Sequence, residues 1–477
     1  MIEGYIPKEQ RKNILLLTDD IRLPSGVGNV GKELVLHTSH RYNWINLGAA
    51  IKHPDQGKKF DLSAEVNEMR GLTDASVFVV PNDGYGNPDL IRQMIKFEKI
   101  DAIFLITDPR YFTWLFQIEN EIRKKTPIIY LNIWDDYPAP MYNKAFYESC
   151  DTLLGISKQT VNINKLVLGK KCEGKIFDYV PHGINPEVYH PILKDSNEYK
   201  GYSEFKNKIL GNKKPEFILF FNSRNIRRKS IPDTLLAWKY FIDKLPKEKA
   251  DQCLFILHTE LISEAGTDLH AVSKYIFGTG YKNVMFSTSK ISAQQLNYFY
   301  NMADAQILLT SNEGWGLSLT EALLTGTPII ANVTGGMQDQ MRFEDENDKW
   351  FTPSAEIPSN HTGKYTKHGK WAYPVFPSNR SLVGSPQTPY IWDDRCRPED
   401  AAEQIMRVYL DEERVEKGLA GREWAMSDEA GFTAEIMAQR TIKNIDKTFE
   451  TFTPRKKFEF INVTELEEDK LPHKLLY

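Results

Sequence analysis

Cysteine is scarce: Cys150, Cys172, Cys253 and Cys396 are the four in 477 residues, and no two form a CxxC pair. That scatter supplies neither a disulfide framework nor a zinc site and suits a reducing, cytoplasmic setting. Long apolar runs are missing as well. None approaches the ~20 residues needed to cross a bilayer, which excludes spanning but leaves peripheral membrane contact open. The start, Met1-Ile-Glu-Gly-Tyr-Ile-Pro7, lacks a basic segment followed by an apolar core, so it does not read as a signal peptide. Nor is there a basic surplus. A formal net charge of -4 gives no strong nucleic-acid signal, because phosphate binders normally carry excess lysine and arginine. What is present, 41% hydrophobic and 26% charged residues, is the balance of a soluble globular chain with room for two or three domains.

Short β-rich runs alternate with longer amphipathic stretches, the pattern of βαβ units and mostly parallel sheets. Asn13–Asp19 reads as a buried first strand, followed by a turn carrying Gly26 and Gly28 and then a helix. Further strands are expected at 76–80, 102–106, 127–131 and 151–157. Pro181-His-Gly-Ile-Asn-Pro186 breaks the rhythm, and a polar, Lys-rich stretch follows to about Pro215. A second series runs through 216–221, 253–258, 283–286, 305–309 and 328–331. Residues 341–397, rich in Pro, Trp, Tyr and Asn, show no period; loops that long are often functional. The organisation read from this is an N-terminal domain over 1–185, a linker region over 186–215, a second domain over 216–440 with the irregular 341–397 insert, and a closing helix and tail over 441–477 returning to the first domain.

The sharpest motif is Ser311-Asn-Glu-Gly-Trp-Gly-Leu-Ser-Leu-Thr-Glu321, continuing to Ile330. It reads as strand end, loop hinged at Gly314 and Gly316, helix from Leu317, stop at Gly326 and strand opened by Pro328. The helix start then faces the carboxyl end of a sheet, where open α/β folds bind ligands. Free N–H groups at Leu317 and Ser318, aided by the helix dipole, suit a phosphate. Glu321, one turn on, can reach a ribose diol, and Glu313 can accept from sugar hydroxyls.

Glu313 and Glu321, with seven residues between them in this string, resemble the hallmark of the family 4 retaining glycosyltransferases. Pro181-His-Gly-Ile-Asn-Pro-Glu-Val-Tyr189 resembles the family's PNGVDxxxF segment, with His182 where Asn is usual. Phe221-Asn-Ser-Arg-Asn-Ile-Arg-Arg-Lys229 resembles its GRxxxxKG segment, Gly335-Gly336 its later glycine pair, and Pro398–Trp424 its closing helices. The resemblance implies a GT-B fold, that is, two Rossmann-like doubly wound α/β domains facing across a cleft. It implies transfer of a sugar from a nucleoside-diphosphate sugar with retention, and no cofactor or metal.

On this reading Arg224 and Lys229 take the family's diphosphate-binding positions, and they and the helix start would stabilise the leaving phosphate. Gly314, Trp315, Gly316, Leu317, Ser318 and Glu321 belong to the donor site, with Gly26 and Gly28 beside the phosphates. In Asn132-Ile-Trp-Asp-Asp-Tyr-Pro138, Trp134 stands where the family usually has histidine, and Asp135 keeps the acid. Asp135 is a catalytic-side candidate, and Asp108, Asp136 and His182 are acceptor-side candidates. Asp135–Asp136 reads equally well as a turn pair before Pro138. Retention in the family is attributed to front-face attack with the leaving phosphate taking the acceptor's proton, so no side-chain base is required. Two other readings stay open: a nucleotide-sugar epimerase of the same fold, and a sugar-nucleotide-binding protein without catalysis. The acceptor and oligomeric state carry no sequence signal.

Overall fold

The computed structural model describes residues 3–50, 54–279, 282–354, 357 and 359–455. Two parallel sheets organise them. The first contains β1 (Lys12–Asp19), β2 (Tyr42–Ala50), β3 (Phe60–Asp61), β4 (Val77–Asp83), β5 (Ala102–Ile106), β6 (Ile128–Asn132), β7 (Thr152–Gly155) and β8 (Ile176–Tyr179). Their order is β3-β4-β2-β1-β5-β6-β7-β8, parallel throughout except for β3 against β4. The second contains β9 (Phe217–Asn222), β10 (Cys253–His258), β11 (Val284–Ser287), β12 (Ala305–Leu308), β13 (Ile329–Asn332) and β14 (Ala372–Val375), in the order β11-β10-β9-β12-β13-β14.

Each strand is a short apolar run because helices cover both sheet faces. In β1, Ile14 and Leu16 join the core that continues into the second domain, while Leu15 and Leu17 point into a separate core on the other face. In both sheets the first strand of the series, β1 or β9, has neighbours leading in opposite chain directions. The crevice at such a reversal is where doubly wound sheets take ligands. Gly26, Arg228 and Glu313 all lie just past strand ends there.

Several segments depart from the sequence expectation. β2 was not anticipated because Asn43, Asn46 and Gly48 interrupt its apolar pattern; inside the sheet, Asn46 Oδ1 accepts from the Ile21 N–H at 3.1 Å. Within 186–215, Tyr199–Leu210 is helical and packs Tyr202 and Phe205 on Tyr298 and Phe299 of the second domain. The 341–397 insert is not wholly irregular. It supplies β14 and an antiparallel hairpin, β15 (Asn379–Ser385) with β16 (Thr388–Arg395), whose mostly polar, partly exposed strands carry little apolar alternation.

The helix Ala434–Thr451 returns to the first domain. Tyr42 donates to Asp446 at 2.7 Å, Arg41 pairs with the same carboxylate at 2.6 Å, and Thr152 shares a 2.6 Å bond with Thr448. Just ahead of it, Ile184 and Thr433 form a bridge, and a Cβ on Gly183 would lie 2.3 Å from the Thr433 carbonyl oxygen. Only glycine fits there. The tail 456–477 lies outside the described residues. Among the described residues no helix is long and apolar enough to cross a membrane.

Candidate active site

An ionic cluster sits between the sheets. The chain leaves β9 and makes a tight turn over Arg227–Lys229, closed by Ser230 in the left-handed region at φ 49°. Arg228 Nη1 donates to Glu313 Oε2 at 2.6 Å and to the Asn312 carbonyl at 2.7 Å. Lys229 pairs with the same Glu313 oxygen. Burial alone would raise the Glu313 carboxyl, but the two cations outweigh it and hold Glu313 below the usual carboxylate range. Burial lowers the Lys229 ammonium, with Glu313 opposing.

Asp135 joins from the first domain, its Oδ1 3.1 Å from where a Gly314 Cβ would stand. Burial pushes its carboxyl up; Arg228 opposes and Glu313 adds to the rise. Its neighbour Asp136 is placed otherwise. It is fully buried, accepts from the Tyr137 N–H at 2.7 Å and the Gln159 amide at 2.9 Å, and thus braces the loop rather than facing a ligand.

The helix of the motif runs Leu317–Leu324, with Gly316 at its N-cap in the left-handed region, φ 91°. No side chain caps it, so its first N–H groups are left for a ligand. Gly26 of the first domain faces this end: a Cβ there would lie 3.4 Å from Leu317 Cδ1. Gly28 is packed instead against Ser25 and the Leu23 and Asp20 carbonyls, a structural position. Trp315 also turns out structural. Its indole is buried, donates to Thr320 at 2.9 Å and meets Phe432 edge-on. Ser318 is buried in the first turn.

Glu321 lies below the helix start. Its Oε2 accepts from the Tyr300 hydroxyl at 2.5 Å and, more weakly, from the Asn222 amide at 3.4 Å. Burial raises its carboxyl, while these donors and Tyr189 pull the other way.

Arg224 is not brought to Glu313. It is exposed and makes no side-chain hydrogen bond or ion pair among the described residues, and Arg228 occupies the place beside the acid. Nothing in the run Arg227-Arg228-Lys229 marks the middle residue; only the turn geometry selects it. Asn222 and Tyr300 likewise gave no signal in the sequence. Asp108 is engaged by Arg110, whose Nε donates at 2.8 Å, and caps the turn 109–112. His182 is buried, and burial pushes its imidazole down to about 4.

Beside the cluster opens a cavity of about 530 Å³. Trp134, Asp108, Arg110 and Asp135 line it from the first domain, and Val383, Thr388 and Ile391 of the hairpin form its opposite wall. The hairpin bridges both domains. Arg110 donates to Thr388 at 2.6 Å and the Trp392 N–H to the Tyr137 carbonyl at 2.8 Å. On the other side, Asn312 donates to Asp393 at 2.6 Å and Thr334 to Asp394 at 2.7 Å. Trp134, in the family's histidine position, donates to the Asp136 carbonyl and offers the cavity carbon surface.

Residues 203–356 match the family described as "Glycosyl transferases group 1". The chain is similar in structure to sucrose-phosphate synthase from Thermosynechococcus elongatus, with TM-score 0.64 and 15% identity over 92% of this chain and 100% of that one. It is similar to HepE of Anabaena in complex with UDP and glucose, with TM-score 0.61 and 13% identity over 92% and 100%. The fold is GT-B. This GT-B chain thus carries a glycosyltransferase group 1 domain over residues 203–356. A curated relative, the alpha-monoglucosyldiacylglycerol synthase of Acholeplasma laidlawii, is 26% identical over 154 residues, 32% of this chain. That match spans 35% of the relative's length.

Proposed function

We propose that this GT-B protein is a retaining glycosyltransferase of family 4 that moves a sugar from a nucleoside-diphosphate sugar to an acceptor without a metal ion. The observation that carries the proposal is the meeting of Arg228, Lys229 and Glu313 with the uncapped helix start at Leu317. Two cations face one held-ionised carboxylate, and Asp135 beside them is shifted toward its neutral form. The two cations offer positive charge where a diphosphate would gain negative charge on leaving.

In this reading the diphosphate lies on the Leu317–Ser318 N–H groups with Lys229, and Arg224 swings in from solvent. Glu321 takes the ribose, Glu313 the donor sugar. The acceptor enters the cavity under the hairpin and reaches the anomeric carbon near Asp135. Its oxygen bonds to that carbon as the bond to phosphate breaks, and its proton passes to the leaving phosphate oxygen. HepE was solved with UDP and glucose, which makes UDP-glucose the first donor to try.

The test is a binding screen of UDP-, GDP- and ADP-sugars, followed by NMR of the anomeric proton in the product, with and without chelator. An α-linked product from an α-linked donor, unchanged by chelator, is expected. Conversion of the donor sugar to its epimer without acceptor, or binding of none of these donors, would overturn the proposal.

A further inference from the structure

The cavity beside the Glu313 cluster gathers arginines from separate parts of the chain. Arg110 comes from the turn after β5, Arg227 and Arg228 from the turn after β9, and Arg395 is the last residue of β16. Most of them are answered. Arg110 donates to Asp108 at 2.8 Å and to Thr388 at 2.6 Å. Arg395 pairs with Asp393 at 3.2 Å. Arg228, together with Lys229, is held on Glu313 and faces Asp135 of the first domain.

Arg227 is the exception. Its side chain is exposed and makes no hydrogen bond, ion pair or ring contact among the described residues. Its backbone is nevertheless fixed, the N–H donating to the Ala265 carbonyl at 2.8 Å and the carbonyl accepting from the Ser230 N–H at 3.2 Å. The acids of the cavity wall are already engaged, Asp393 by the Asn312 amide as well as by Arg395, so none is left for this guanidinium. Arg224, also exposed and unpaired, does not line the cavity. The two free arginines after β9 therefore serve different ligands.

We propose that the acceptor carries an anionic group, a phosphate or a carboxylate, which the Arg227 guanidinium binds while the acceptor hydroxyl reaches toward Asp135. This rests on the transferase reading above. A guanidinium presents N–H donors in a planar fork and has no acceptor of its own. A neutral hydroxyl would use part of that fork and leave the charge unanswered. A carboxylate or phosphate takes two N–H bonds side by side and cancels the charge. Trp134 and Ile391, on the same wall, offer carbon surface to the uncharged part of such a molecule.

Calorimetry on the protein saturated with whichever of UDP, GDP and ADP it binds tests this with probes that differ in the anion: glucose 6-phosphate and glucuronate against glucose, and glycerol 3-phosphate against glycerol. The wild type should bind at least one anion roughly fivefold or more tightly than its neutral partner. Arg227→Ala should abolish that preference, and Arg227→Lys, which keeps the charge without the fork, should retain part of it. Both variants should bind the nucleotide within about twofold of wild type. No preference for any anion, a preference that survives Arg227→Ala, or a matching loss of nucleotide affinity in that variant would overturn the role of Arg227. Failure of the wild type to bind any of the three nucleotides would instead sink the transferase reading itself.

Discussion

Arg228 and Lys229 share a single oxygen of Glu313: Oε2 receives the Arg228 guanidinium at 2.6 Å and the Lys229 ammonium beside it. One carboxylate oxygen thus orients both cations.

Glu313→Gln should therefore do two things. Transfer should fall by about 100-fold or more, since a charge placed for the transition state is lost. Stability should fall by about 3 kcal/mol, because two enclosed cations lose their counter-charge. Arg224→Ala should act differently. An exposed, unpaired residue should change stability by no more than about 0.5 kcal/mol, and its cost should appear only in donor affinity and turnover. Product chromatography and thermal denaturation of both variants check this; a fully active Glu313→Gln protein would refute the site.

Tyr300→Phe deletes the 2.5 Å bond to Glu321 and leaves the long contact from Asn222 and the influence of Tyr189. The carboxylate then loses its orientation toward a ribose. Binding of the nucleoside diphosphate alone, followed by calorimetry, should weaken roughly three- to tenfold. Unchanged affinity would mean that Glu321 does not hold the nucleotide.

Val383→Trp puts a large ring into the 530 Å³ cavity from the hairpin side. If acceptors enter there, transfer should drop at least about tenfold while donor affinity stays within about twofold of wild type, a gap of about 1 kcal/mol between the two steps. Parallel loss of donor binding would assign the cavity to the donor instead.

Asp339 links the domains by accepting the Lys158 N–H at 2.9 Å, and burial, opposed by Lys158, lifts its carboxyl to about 6. Its ordinary value is 3.8. The folded state therefore holds this proton more tightly than the unfolded chain. The associated stabilisation is full below pH 3.8 and is lost as pH rises through 6, by at most about 3 kcal/mol. Urea unfolding between pH 4 and 7 should show that decline in the wild type and a flatter course in Asp339→Asn. Identical slopes would dismiss the shift.

Much of the frame was legible beforehand. Strands such as Ala102–Ile106 and Cys253–His258 are continuous apolar runs, which a sheet covered on both faces demands, and the Glu313–Glu321 string carried its own turn and helix signals. β8, four residues at a sheet edge, and β2, broken by asparagines, were not legible: their strand character comes from partners supplied by the rest of the sheet. Trp315 and Asp136 carried site signals yet serve packing, because the chain's own atoms already occupy their polar groups.

The order of residues by itself determined two βαβ series, a glycine-hinged helix start and the acids at Glu313 and Glu321, since local periodicity and backbone permissiveness decide these. Only the tertiary structure decided that Arg228 rather than Arg224 meets Glu313, that Tyr300 and Asn222 hold Glu321, and that a hairpin from the insert walls the cavity beside Trp134. Those pairings join residues up to hundreds of positions apart. No local pattern encodes them; they follow from how the two domains meet across the cleft and which side chains are left without water between them.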